Sequence, residues 1–124
     1  CIVQITDGSF SVLLVGDIHQ DAERALIKYY PNLRSNLLIS PHHGSKSSSS
    51  ELFIKHVQPE YVIHANARWS RWNMPHAQVQ LRYHQAGVKQ MQTAQLGGIT
   101  FEVFDQEIKI SSARAEQRYW FLTN

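Results

Sequence analysis

The 124-residue sequence carries 12 Lys and Arg against 10 Asp and Glu, a net charge of +2, with 43% hydrophobic and 18% charged residues. These proportions exclude an intrinsically disordered chain and fit one domain long enough to bury its own core. The only cysteine, Cys1, excludes an internal disulfide and a multi-cysteine zinc site; no apolar run approaches the ~18 residues of a membrane span, and so small a charge permits nucleic-acid contact without arguing for it.

Cys1, Val3 and Ile5 alternate, which predicts a strand over Cys1 to Thr6 with Asp7-Gly8 as a hairpin turn. Opening on this pattern without a methionine leads to the expectation of an excised piece of a longer protein with no signal peptide. Phe10, Val12 and Leu14 alternate again, and Leu13 and Val15 make the other face apolar too, the mark of a central strand. Gly16-Asp17 ends it. From Asp17 to Tyr30 a helix is predicted with Ala22, Ala25, Leu26 and Tyr29 inward, Asp17 as cap and Gln20 completing a capping box. Asn36 to Ser40 is the next strand. Ser48 and Glu51 form a second capping-box pattern before a short helix ended by Pro59, and Tyr61 to His64 is a third apolar strand. A loop from Asn66 to Asn73 leads to Pro75, expected in the first turn of a helix with Val79, Tyr83 and Ala86 buried and Gly87 as its stop. Val88 to Met91 is a short strand. Ile99 to Phe104 and Ile108 to Ser112 read as a hairpin around Asp105-Gln106, and Tyr119 to Leu122 as a last strand. Strands alternating with about three helices predict a layered α/β domain with a mixed sheet and its sites at strand ends.

Chemistry-bearing residues cluster at those ends. Asp17 follows a buried strand, where a carboxylate ligates or bridges metals or simply caps a helix. His42 and His43 offer imidazole, the commonest nitrogen ligand for zinc and suited to manganese. Neighbours on an extended chain point opposite ways, so at most one of the pair is expected in a given metal sphere, the other packing or orienting a neighbour. Gly44 permits close backbone approach, and Ser45 and Lys46 before a helix start make an anion site. The following serines read equally as a solvated loop. In the next loop Arg68, Trp69, Arg71 and Trp72 interleave cations with aromatics, a pattern that stacks bases and pairs phosphates, although either tryptophan could fold onto the core. Asn66, Arg68 and Arg71 are the substrate candidates there. His76 is a candidate ligand, proton carrier or substrate contact, or a surface residue at a helix start. His19, His56, His64 and His84 lack supporting neighbours in sequence.

Val-Leu-Leu-Val-Gly-Asp-Ile (12–18) followed by Pro-His-His-Gly-Ser-Lys-Ser-Ser-Ser-Ser (41–50) resembles the C-terminal half of a metallo-β-lactamase-fold domain, the αββα sandwich. It is similar in particular to the domain at the end of ComEC-type DNA-uptake channel proteins of bacterial natural competence. Asn66-Ala-Arg-Trp-Ser-Arg-Trp72 before Pro75-His76, then Gly87-Val88 and Gly97-Gly98-Ile99-Thr100-Phe101, resemble that family's end.

The resemblance implies one partial domain over residues 1–124 whose N-terminal half lies upstream. In that fold the aspartate of Gly-Asp bridges two divalent ions, zinc or manganese, so Asp17 inherits that role, and His42 or His43 would bind the second ion. The family's His-x-His-x-Asp-His motif has no counterpart here, so the isolated segment is expected to hold an incomplete metal set and to be inactive. Where the family has Tyr-Gly-His-Pro-His, this chain reads Trp72-Asn73-Met74-Pro75-His76, and only His76 carries over. The implied function is DNA uptake in natural transformation, with the intact domain a metal-dependent nuclease degrading the non-transported strand. The alternative is a non-catalytic DNA-guiding or structural module of the channel. The implied setting is a soluble domain, on the periplasmic side, of a multi-pass inner-membrane protein. Its partners would be single-stranded or degraded DNA, the remainder of the channel and, through Cys1 to Thr6, a second copy.

Overall fold

A computed structural model describes residues 1–105 and 107–114. In chain order the elements are β1 (Val3–Thr6), β2 (Ser11–Leu14), α1 (Gln20–Tyr29), β3 (Leu37–Ile39), a 3-10 turn (Pro41–Gly44), α2 (Glu51–Val57), β4 (Tyr61–His64), α3 (Ala77–Gln85), β5 (Lys89–Gln92), α4 (Thr93–Leu96), β6 (Ile99–Phe104) and β7 (Glu107–Ser112). The strand expected over Tyr119 to Leu122 lies outside the described residues.

The first five strands form one mixed sheet in the order β1-β2-β3-β4-β5, antiparallel between β1 and β2 and parallel thereafter. Asp7 shapes the β1–β2 turn. Its carboxylate accepts from the N–H groups of Phe10 at 2.7 Å and Ser9 at 2.8 Å, and these bonds hold it below the usual carboxylate range. Register then sorts the two faces. Leu13, Leu38 and Val62 stand side by side across β2, β3 and β4 and pack under the helices with Leu26, Phe53 and Tyr83. Leu37, Tyr61 and Ile63 face the other way, toward Ile99, Phe101 and Ile108 of the separate β6–β7 hairpin. The result is three layers: helices, five-stranded sheet, two-stranded hairpin. Most of the fully buried apolar side chains lie on the helix face. At ~1.5–3 kcal/mol for each fully buried large aliphatic or aromatic, that face carries the larger share of the stability.

The chain is thus mixed α/β with a mixed sheet and four helices, not three; the single turn of α4 is too short to leave a periodic signal. Helix starts also differ from expectation. Asp17 does not cap α1. The helix begins at Gln20 after His19, which makes no side-chain cap bond, because the Gln20 N–H donates instead to Ser47 O at 3.0 Å. Nor is Ser48 the cap of α2. Ser50 takes that place, accepting from Phe53 N at 3.2 Å, while the buried Ser48 hydroxyl donates to Ile18 O at 2.6 Å. Pro75 precedes α3 rather than sitting in its first turn, and His76 caps it. The inward stripe of α1 is Glu23 and Leu26, with Ala25 and Tyr29 exposed. Glu23 is drawn in by backbone donors described below. Val79 and Tyr83 are fully buried as expected, Ala86 is exposed, and Gly87 ends α3 with φ +74°.

Candidate functional site

The C-terminal ends of β2, β3 and β4 lie next to one another because those strands are parallel and in register. Each end delivers one segment: Gly16-Asp17 after β2, Pro41–Gly44 after β3, Ala65-Asn66 after β4. Backbone bonds lock them together. His42 N donates to Gly16 O at 3.0 Å, Ser40 N to Ile63 O at 2.9 Å, and His76 N to Gly44 O at 2.9 Å. Gly44 has φ +86°, and a Cβ there would fall 2.9 Å from Pro75 Cα and against Pro75 Cβ. A glycine is required here to let the Pro75-His76 segment that leads into α3 lie directly on the turn.

His42 and His43 are not on extended chain. Both adopt left-handed backbone, φ 49° and 56°, so the expectation that they point opposite ways does not apply. Their ring centroids are 6.3 Å apart. The His43 ring is fixed by Nδ1–H, which donates to Ala65 O at 2.7 Å. In the neutral ring that assignment leaves a lone pair on Nε2, and Nε2 faces Asp17 Oδ1 at 3.4 Å. Two acceptors facing each other are reconciled by a proton or by a cation held between them. His42 packs edge-on against His19, centroids 4.8 Å apart, and its Nδ1 is buried with no hydrogen-bond partner. An imidazole nitrogen without a partner, on the same turn as His43 of the carboxylate–imidazole pair, makes a set of atoms that could hold a metal ion. That set is partial: among the described residues no three His, Cys, Asp or Glu side chains converge on one point.

Ser45 and Lys46 follow the turn. Ser45 Oγ lies 3.1 Å from Ser47 Oγ, and Ser47 Oγ 2.8 Å from His19 Nδ1, so a hydroxyl relay joins the serine loop to His19. Lys46 is exposed. The loop is held from beneath by Glu23, fully buried, whose carboxylate accepts from the backbone N–H of Ser49 and, at 3.0 Å, of Ser50. Arg82 Nη1 donates to Ser48 O and Ser49 O, both at 3.2 Å, and Tyr83 OH meets Ser49 Oγ at 2.8 Å. Burial pushes the Tyr83 phenol pKa up.

Beneath the His-His-Gly turn lies His64, fully buried. Gln90 Nε2 donates to Gln80 O at 2.9 Å, which turns Gln90 Oε1 toward His64 Nε2 at 3.0 Å. His64 Nε2 therefore carries the hydrogen, and Nδ1 accepts from the Ser40 hydroxyl at 3.0 Å. Burial holds this imidazole below its ordinary pKa, against the bond to Gln90.

The loop from Asn66 to Met74 separates two cavities. One, about 570 Å³, is lined by Asp17, His42, His43 and Trp72. The other, about 580 Å³, is lined by Arg68, Asn73, Gln92, Gln95 and Arg114. Asn66, Ala67, Ser70 and Met74 line both, so the loop is the ridge between them. Asn66 holds the ridge: its Nδ2 donates to Met74 O and Gln92 Oε1, and its Oδ1 accepts from Ala94 N. The tryptophans do not fold onto the core, Trp69 being 89% and Trp72 75% exposed. Arg68 stacks over Trp69 at 5.6 Å, and among the described residues neither Arg68 nor Arg71 pairs with a carboxylate. Arg71 lines neither cavity. Nor does His76, whose Nδ1 accepts from Gln78 N at 3.2 Å as the cap of α3.

The structure thus brings Asp17, His42 and His43 to one cavity, with Gly44 packed behind them. Sequence reasoning missed three contributors. His19 stands two residues after Asp17, a spacing that could have flagged it. Glu23 and His64 gave no local signal, since their partners lie in other elements.

No family model matches the chain. It is similar to Uncharacterized protein YcaI of Escherichia coli, 34% identical over 94% of this chain and 16% of the relative. Recombination protein 2 of Haemophilus influenzae is 31% identical over 98% of the chain and 15% of the relative. Competence protein ComA of Neisseria gonorrhoeae is 31% identical over 97% of the chain and 18% of the relative. The chain spans about one sixth of the length of these curated relatives. No helix among the described residues is long and apolar enough to cross a membrane.

Proposed function

We propose that this chain serves DNA uptake in natural transformation, as the metal-binding and strand-handling end of a metallo-β-lactamase-fold phosphodiesterase domain. Relatives named for competence and recombination support the process. The observation that carries the chemistry is His43 Nε2 facing Asp17 Oδ1 at 3.4 Å, with the orphaned Nδ1 of His42 on the same turn.

Asp17 and His43 would share one cation, and His42 would contribute to a second position. A divalent ion, zinc or manganese, supplies Lewis-acid stabilisation of a phosphodiester and of its departing oxygen. The remaining donors must come from outside the described residues. Ser45 and Lys46 border this turn and provide hydroxyl and positive charge for a phosphate. Arg68 and Arg71 neutralise the flanking backbone, Trp69 and Trp72 offer faces for bases, and His76 retains Nε2 for proton transfer. Asn66 holds the loop in place while bordering the strand's path. The rest of a membrane channel, with this domain on its periplasmic side, and a second copy paired along β1 are further partners under this reading.

Manganese-dependent cleavage of end-labelled single-stranded DNA by the protein expressed from its complete gene tests it. Asp17→Ala and His43→Ala should each abolish cleavage. Unchanged cleavage in Asp17→Ala would rule the reading out. A second reading, a DNA-guiding module without catalysis, draws on Met74 in place of the family's histidine and on the partial donor set. Strand binding with no cleavage at any manganese concentration would favour it.

A further inference from the structure

We propose that the cavity behind the Asn66–Met74 ridge is a second nucleotide subsite, which holds the next phosphate and base of a single strand whose neighbouring nucleotide occupies the Asp17–His43 cavity. The inference rests on the nucleic-acid reading above and adds Arg114 and Gln95, residues that reading does not use.

The lining decides the ligand class. Arg68 and Arg114 place two guanidinium groups in a wall that holds no carboxylate among the described residues, and Asn73, Gln92 and Gln95 add amides. Guanidinium forks match phosphate oxygens, and amides match base edges. An aromatic face stands beside them, Trp69 under the Arg68 guanidinium. Cation, amide and exposed aromatic together suit a nucleotide better than an acidic peptide, which needs only the cations.

Arg114 is set rather than loose. Its Nη1 donates to Ala94 O at 2.6 Å, which among the described residues leaves most of its N–H donors for a ligand. Gly97 makes room for its arm: a Cβ there would stand 3.2 Å from Arg114 Cγ. Size and continuity agree. The cavity, about 580 Å³, matches the 570 Å³ of its neighbour, both within the ~300–1,000 Å³ of ligand pockets, and the two share the ridge residues Asn66, Ala67, Ser70 and Met74. A strand crossing the ridge meets one cavity on each side.

Fluorescence anisotropy of a labelled six-nucleotide oligothymidylate, without metal, tests the subsite. Gln95→Glu puts a carboxylate into the cavity at an exposed position, and Arg114→Gln removes a guanidinium. Each should weaken binding about tenfold, and Arg114→Gln should lower the salt slope by about 1. The matched charge change Gln85→Glu, on exposed α3 surface, should leave affinity within about twofold of the parent. Should Arg114→Gln lose its circular dichroism, Gln95→Glu decides alone. If the parent binds the strand and Gln95→Glu binds equally well, or Gln85→Glu weakens it as much, the subsite is overturned while the reading above stands. If oligoglutamate displaces the strand at equal concentration, the nucleotide assignment is overturned. If the parent does not bind the strand at all, the subsite is overturned, and the manganese cleavage assay decides the reading above by itself.

Discussion

The two walls of the Asp17–His43 cavity are built in opposite ways. The Pro41–Gly44 wall is tied down from three sides, by Gly16 O, by Pro75 against Gly44, and by His76 N. The facing wall, the Asn66–Met74 loop, is anchored at Asn66 and then presents Trp69 and Trp72 to solvent. Placement and contact are therefore divided between them. One wall fixes side chains in position; the other offers exposed aromatic surface. Substitutions in the first wall should register as stability, and substitutions in the second as affinity.

Gly44→Ala should be the most damaging change. It places a Cβ against Pro75 at φ +86°, and strain plus overpacking should cost about 3 kcal/mol in urea denaturation. A smaller loss would mean that Pro75 moves easily and that the first wall is not rigid. Glu23→Gln should follow at about 2 kcal/mol, because a buried carboxylate accepting from Ser49 N and Ser50 N is replaced by a neutral acceptor. Strand affinity that fell with no loss of stability would assign Glu23 to contact rather than to placement.

His64 makes the first wall sensitive to acid. Its folded pKa is lowered by burial, so the unfolded chain takes up a proton that the folded chain refuses. The stability it contributes is complete above about 6.5, the unfolded value. It is lost as pH falls toward the folded value, by at most about 1.4 kcal/mol per pH unit. Urea midpoints at pH 7.5 and 5.5 should therefore diverge more in the parent than in His64→Asn, and equal divergence would remove His64 as the cause. The smallest effect on stability, within about 0.5 kcal/mol, is expected for Trp69→Ala and Trp72→Ala. Each should nonetheless weaken oligothymidylate binding by about 1 kcal/mol or more. Destabilisation without loss of affinity would reverse the assignment of the second wall.

How much of this was legible in the sequence follows from the range of the interactions. Gly16-Asp17 and Pro41–Gly44 could be found because turn residues directly after apolar runs mark strand ends, and parallel strands bring those ends together. The helix starts could not. Gln20 N finds Ser47 O, and Ser48 turns to Ile18 O, so long-range bonds replaced the caps that local pattern suggested. Glu23 reads in a helix as a solvent-facing residue, and only the Ser49 and Ser50 N–H groups from another element explain its burial. The left-handed backbone of His42 and His43 carries no composition signal, since that conformation is imposed by Gly16 O on one side and Gly44 on the other.

The parallel register bears on how the molecule assembles in time. Leu14 lies beside Ile39, Ile39 beside Ile63, and Ile63 beside Met91. Each of these pairings joins distant segments and needs a helical crossover in between, so they form slowly compared with local contacts. The β1–β2 and β6–β7 hairpins can form early, and neither contains the site. Asp17 and His43 become neighbours only after β2 and β3 have met. A nascent or proteolysed fragment that ends at β3 lacks His42 and His43, and the contact between Asp17 and His43 should appear in refolding only once β2 and β3 have paired.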